Sequence, residues 1–289
     1  MNIDNSKYSL FQTNQEKYRL TYGAEHPSGN KSGGISPIKT SAPLADGSAM
    51  HFYIEAWNKK LTPEEIKRRE KEEGIPAPNL AMGKALAQSF INRYDGDANF
   101  KIHTDVSGVF AEREFSIQIP GSPHFLIGKI DELVEHDGKL WVGDYKSANN
   151  KATENKKKIE FNTSSQPNFY LNALKLMGHT DIAGMLYRVV TKHTPPQHYV
   201  IPVKRGPTQL DIALYNIHQV AEQIQMMINT FGVNEPWPHN GSTYPCNYAD
   251  ASGASVCEYS HLCGRSTKDL TEHDFELFKP RESHLICDR

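Results

Sequence analysis

With 289 residues, 38% of them hydrophobic, the chain is long enough to bury one sizeable core with appendages. It holds no run of about 18 apolar residues, and its polar start, Met1-Asn2-Ile3-Asp4-Asn5, lacks a signal-peptide pattern; a helical membrane protein is excluded and a cytoplasmic one expected. The formal net charge of −2 excludes a whole-molecule positive field, so any nucleic-acid contact has to come from a local basic surface.

In chain order, residues 7–22 read as a helix and residues 23–43, rich in Gly, Ser and Pro, as a mobile loop. Residues 44–57 read as a helix carrying His51, where a lone histidine is by itself a core or capping residue. Thr62-Pro63-Glu64-Glu65 is a capping box with proline at the first helical position, opening a charged helix that runs to Gly74. Residues 82–94 form the next helix, with Leu86, Phe90 and Ile91 on its apolar side. A strand over 112–119 opens the core: Phe115, Ile117 and Ile119 alternate with Glu114, Ser116 and Gln118, and Glu114 is a candidate acidic group.

Residues 125–135 and 140–146 read as two strands joined by His136-Asp137-Gly138-Lys139. Asp-Gly favours a two-residue type I′ turn. With Asp137 and Gly138 as the loop, His136 faces Lys139, Asp131 faces Asp144, and Lys129 faces Lys146. Facing residues share a sheet face, as do residues two apart, so Asp131, Asp144 and Lys146 project from one side. Two carboxylates roughly 5 Å apart at Cβ repel each other, so a positive group belongs between them. A hard divalent cation, Mg²⁺ or Mn²⁺, suits oxygen ligands, and Lys146 adds a point charge for an attacking hydroxide or a developing phosphorane. The structural alternative is a solvated hairpin in which Lys146 only neutralises an aspartate.

Lys151, Lys156, Lys157 and Lys158 follow in what reads as a solvated loop able to neutralise phosphates. Ser164 or Ser165 then caps, and Gly178 ends, a helix on which Gln166 and Tyr170 share a face. Packing of Tyr170 and Leu174 on the sheet is the structural alternative to a face that orients the lysine or touches DNA. Strands over 185–191 and 198–203 are joined across Pro195-Pro196. Residues 208–231 form a long helix with Leu210, Leu214, Ile217, Ala221, Ile224 and Ile228 on one stripe, ended by Gly232.

The order of these motifs resembles the RecB-type branch of the PD-(D/E)XK nuclease superfamily, phage or bacterial exonuclease-like. That branch has a Gly-x-x-x-His motif, a Gly-x-x-Asp strand, an Asp-x-Lys strand and a Gln-x-x-x-Tyr helix. This chain supplies Gly47-Ser48-Ala49-Met50-His51, Gly128 to Asp131, Asp144-Tyr145-Lys146 and Gln166-Pro167-Asn168-Phe169-Tyr170, in that order. Each motif alone is weak, and four in order are strong. The resemblance implies an α/β fold with a restriction-endonuclease-like core, a central mixed sheet flanked by helices, in a single nuclease domain over 1–289. Within it lie a helical N-terminal region with the His motif (1–110), a catalytic core (111–205), a long helix (206–235) and a cysteine-bearing tail (236–289).

The implied activity is that of a divalent-metal-dependent deoxyribonuclease, an exonuclease acting on DNA ends in recombination, repair or phage DNA metabolism. DNA would be the substrate, and recombination or repair proteins the partners. Mg²⁺ or Mn²⁺ would be held by His51, Asp131, Asp144 and the Tyr145 backbone carbonyl, the imidazole favouring Mn²⁺. Lys146 would position or help deprotonate the attacking water, and Gln166 and Tyr170 would complete the catalytic set.

Many RecB-type nucleases pair three C-terminal cysteines with one near the N-terminus around an iron–sulfur cluster, and Cys257-x5-Cys263 resembles the last two. Here Asn14 stands where the N-terminal cysteine belongs. Reduced thiols are therefore expected at Cys246, Cys257, Cys263 and Cys287. A cluster completed by Cys287, or a zinc site joined by His261, stays open as an alternative. Two other function classes remain: a catalytically inactive nucleic-acid-binding module with a nuclease-like fold, and a zinc or iron–sulfur protein built on the cysteine tail.

Overall fold

The computed structural model describes residues 1–27, 33–38, 41–105, 108–238 and 257–281. Its strands are β1 (Asn2–Ile3), β2 (Ile35–Pro37), β3 (Lys101–Ile102), β4 (Thr104–Asp105), β5 (Gly108–Val109), β6 (Ala111–Gln118), β7 (Phe125–His136), β8 (Lys139–Ala148), β9 (Ile182–Thr191), β10 (His198–Val203) and β11 (Phe278–Pro280). Its helices are α1 (Asn5–Thr13), α2 (Gln15–Tyr22), α3 (Ala42–Asn58), α4 (Pro63–Glu72), α5 (Ala77–Tyr94), α6 (Glu154–Thr163), α7 (Gln166–Leu176) and α8 (Pro207–Phe231). The chain divides into two compact units, one of Met1–Lys39, Ser116–Gly128 and Asp211–Arg289, the other of Thr40–Phe115 and Lys129–Leu210.

The central sheet runs β1-β7-β8-β9-β10, with β3 and β6 also paired to β7. It is mixed: β8 is antiparallel to β7 and parallel to β9, and β10 returns antiparallel. In the second unit α3 packs on β8, α5 and α7 on β9, and α6 on β10. This is the α/β architecture expected from sequence.

The β7–β8 register is the one the Asp-Gly turn dictates, from Glu132 opposite Gly143 to His136 opposite Lys139. Asp137 and Gly138 have φ of 49° and 68°, the pair of positive values that a type I′ turn requires. Met50, Phe52 and Ile54 of α3, Leu86 and Phe90 of α5, Tyr145 of β8 and Val190 of β9 form an apolar cluster. Gly83 lets α3 and α5 cross closely, because a Cβ there would collide with Ala49.

Four expectations change. The helix over 7–22 is two helices, because Asn14 is extended (φ −158°) and caps α2 by accepting from the Lys17 amide. The loop over 23–43 contains β2, which pairs with β11, and ends where α3 starts at Ala42; its residues 28–32 and 39–40 lie outside the described residues. Lys156, Lys157 and Lys158 are on α6 rather than in a loop, since Thr153 caps a helix there and Lys158 pairs with Glu154 one turn away. The long helix α8 buries Ala213, Ile217, Val220, Ala221, Ile224 and Met227, which shifts part of the expected stripe.

In the first unit, Cys257 and Cys263 pack with Leu20, Tyr259, Leu262 and Phe275 in an apolar cluster. His261 contacts the Asp274 carbonyl at 3.2 Å. Cys246 and Cys287 lie outside the described residues. Among the described residues no helix is long and apolar enough to cross a membrane.

The second unit holds an ion pair in its interior, between Glu132 on β7 and Arg188 on β9, both buried. Removing one partner of such a pair strands the other charge in a low dielectric. Arg188→Met should therefore lower unfolding stability by about 3–5 kcal/mol in urea titrations. A change under about 1 kcal/mol would show that Glu132 does not depend on the arginine.

Candidate metal centre

Asp144 and Lys146 are two apart on β8 and share a face, and α3 brings His51 to the same place. The Lys146 Nζ lies 2.7 Å from Asp144 Oδ2, and Gln166 Nε2 donates to Asp144 Oδ1 at 2.8 Å. Tyr187 OH donates to Gln166 Oε1 at 3.4 Å. Asp144 is thus gripped from both sides. Tyr170, one turn further along α7, packs edge-on against Phe115 at 6.1 Å between ring centroids.

His51 sits among acids. Its Nδ1 is 3.3 Å from Asp131 Oδ2 and 3.9 Å from Glu112 Oε1, and its Nε2 donates to the Tyr145 carbonyl at 2.7 Å. Asp131 Oδ2 also accepts from the Tyr145 amide at 3.2 Å. The Tyr145 peptide therefore touches both residues.

Glu112 is the acid that sequence reasoning missed in favour of Glu114. Its φ is 52°, a left-handed value that strains a non-glycine residue and breaks the strand alternation on which Glu114 was chosen. Its carboxylate reaches Lys129 Nζ at 2.5 Å. The available sequence signal was only an acidic residue at the start of the first core strand.

Burial opposes charge throughout this cluster, and the neighbours decide the outcome. For Asp131, burial raises the carboxyl pKa and the negative charges of Asp144 and Glu112 raise it further, against the pull of His51. For His51, burial works against the imidazolium, but Asp131 and Glu112 outweigh it and raise the pKa to about 9. Glu112 is held below its ordinary value, because His51 and Lys129 more than offset burial.

Ligand atoms of His51, Glu112 and Asp131 all lie within 4.8 Å of one another. Glu112 Oε1 is buried and has no hydrogen-bond partner among the described residues. A buried acceptor left open beside an imidazole and a second carboxylate fits a divalent cation that takes mixed N and O donors.

Residues 5–264 match the family model of the PD-(D/E)XK nuclease superfamily. The chain belongs to the PD-(D/E)XK nuclease superfamily. Among solved structures it is similar to that of an exonuclease candidate from Eubacterium rectale, with TM-score 0.52, 13% identity, and coverage of 95% of this chain and 92% of that one. At that identity the likeness concerns the fold. A structure named SSO0001 aligns with TM-score 0.34 and 17% identity over 79% of this chain and 89% of that chain, too weakly to support an argument. No curated protein matches. PD-(D/E)XK nucleases use divalent metals, and His51, Glu112 and Asp131 are a donor cluster suited to one.

Mn²⁺ at a hundredfold excess over its Kd should stabilise the protein by about 2.7 kcal/mol, seen as a rise in Tm. Glu112→Ala and His51→Ala should each shrink that rise. An undiminished rise in both variants would move the cation elsewhere.

Proposed function

We propose that this PD-(D/E)XK nuclease is a metal-dependent deoxyribonuclease that hydrolyses DNA phosphodiester bonds. It acts as an exonuclease on DNA ends, in recombination, repair or phage DNA metabolism, with proteins of those processes as partners. The observation that carries the proposal is Asp144, fixed between Lys146 and Gln166 beside the His51, Glu112 and Asp131 cluster.

His51, Glu112, Asp131, Asp144 and the Tyr145 carbonyl would hold Mg²⁺ or Mn²⁺. When bound, the ion would activate water as a nucleophile and neutralise charge on the scissile phosphate. Lys146 supplies a further positive charge. Burial opposes that charge, but Asp144 and Asp131 raise the lysine pKa above its ordinary value, so the ammonium persists at neutral pH. Its role is then to hold the attacking oxygen and stabilise the phosphorane, more than to abstract a proton. Gln166 fixes the Asp144 carboxylate in one orientation, which reduces the reorganisation needed during reaction. Tyr170, braced on Phe115, steadies the helix that delivers Gln166.

The test is incubation with end-labelled linear and closed circular DNA in Mg²⁺ or Mn²⁺. Linear DNA should be degraded and circles spared, with all cleavage lost in EDTA. Asp144→Ala and Lys146→Ala should each slow cleavage by at least about 10³-fold while DNA binding persists. Near-normal turnover in either variant, or cleavage in EDTA, would contradict the mechanism. Binding of DNA by the wild type without cleavage would favour a non-catalytic binding module instead.

A further inference from the structure

Between Asp144 and Lys146, strand alternation turns the Tyr145 side chain to the opposite face of the sheet, where its ring packs edge-on against His51 with centroids 5.6 Å apart, while its peptide group touches both His51 and Asp131. The side chain is fully buried. Its hydroxyl donates to Glu132 Oε2 at 2.5 Å and accepts from Asn58 Nδ2 at 2.9 Å. Glu132 is ion-paired with Arg188, whose guanidinium lies 4.7 Å from the Phe90 ring, 5.1 Å from Tyr94 and 5.2 Å from Tyr145. Gly143 completes the arrangement, because a Cβ there would collide with the Glu132 carboxylate.

A buried charged network is an inefficient way to stabilise a core, since apolar residues of similar volume do as well or better. This one converges on a single residue. Asn58 and His51 lie two turns apart on α3, so the helix holds Tyr145 at both ends, by the carboxamide at the hydroxyl and by the imidazole at the carbonyl. A shift of β8 against α3 would have to break both hydrogen bonds.

We infer that Asn58, Glu132 and Arg188 are positioning residues that act through the Tyr145 hydroxyl. They set where the Tyr145 carbonyl lies relative to His51 and Asp131, and so set the affinity of the centre for its divalent cation. The inference rests on the metal-centre proposal above and deepens it. Groups behind a ligand commonly govern metal affinity in this way, by about 10–100-fold.

Titration calorimetry with Mn²⁺ alone, without DNA, tests it on wild type, Tyr145→Phe, Asn58→Ala and Leu86→Ala. Tyr145→Phe removes the hydroxyl and keeps the ring. Asn58→Ala removes only one donor to it. Leu86 is buried in the same apolar cluster as Tyr145, so Leu86→Ala reports what a loosened core does by itself. Mn²⁺ affinity should fall at least about tenfold in Tyr145→Phe and by a smaller factor in Asn58→Ala. It should stay within about twofold of wild type in Leu86→Ala, although Tm falls there too.

Wild-type affinity in both network variants overturns the inference. So does an equal loss in Leu86→Ala, which would make the effect one of general core stability. If Tyr145→Phe fails to fold, Asn58→Ala against Leu86→Ala decides by the same comparison. A wild type that binds no Mn²⁺ overturns both the inference and the metal-centre proposal. Mn²⁺ binding without DNA cleavage counts against the nuclease proposal alone and leaves the positioning inference standing.

Discussion

Carboxylates do not share the interior of a protein unless something positive holds them there, and the centre of this chain is arranged around that constraint. Like charges about 4 Å apart repel by about 4 kcal/mol at an effective dielectric of 20, a large fraction of a domain's whole stability. Each acid here has a cation at hand: Glu112 faces Lys129, Asp131 faces His51, and Asp144 faces Lys146. Burial opposes an imidazolium at His51, but Asp131 and Glu112 raise its pKa to about 9, so it is the group poised to supply positive charge here. A divalent ion would bring two charges where the imidazolium brings one. On this account the resting centre is a compensated cluster with a replaceable cation.

The scaffold serves that cluster through rigid elements. The hairpin fixes β7 against β8 from Glu132 opposite Gly143 onward, and Asp131, next along β7, accepts from the Tyr145 amide beside Asp144. The close crossing of α3 and α5 at Gly83 fixes His51. Glu112 is delivered differently, by a strained left-handed residue at the start of β6. Strain of that kind persists where the surroundings over-determine it, and here Lys129 holds the carboxylate in place.

Much of this was legible in the chain because local chemistry decides it. Asp137-Gly138 selects one turn type, the turn selects the register, and the register aligns the acids, so the hairpin follows from residues a few positions apart. The capping box at Thr62 and Glu65 was legible for the same reason. His51 was not readable from its own surroundings, since a histidine on a helix looks the same whether it packs or binds; only the order of motifs singled it out. Glu112 escaped because a positive φ in a non-glycine residue leaves no trace in a hydrophobic alternation. The break at Asn14 and the helix begun at Thr153 turned on side-chain caps that compete with periodicity. The Glu132–Arg188 pair was invisible because it joins β7 and β9, which only the fold brings to either side of β8.

The most direct test of the central claim is an anomalous-scattering map from crystals soaked in Mn²⁺ and recorded at the manganese edge. A peak bounded by the His51 imidazole, the Glu112, Asp131 and Asp144 carboxylates and the Tyr145 carbonyl is the predicted result. A map with no peak there, or with manganese bound only at surface carboxylates, would contradict the account and leave the three ion pairs as structural supports.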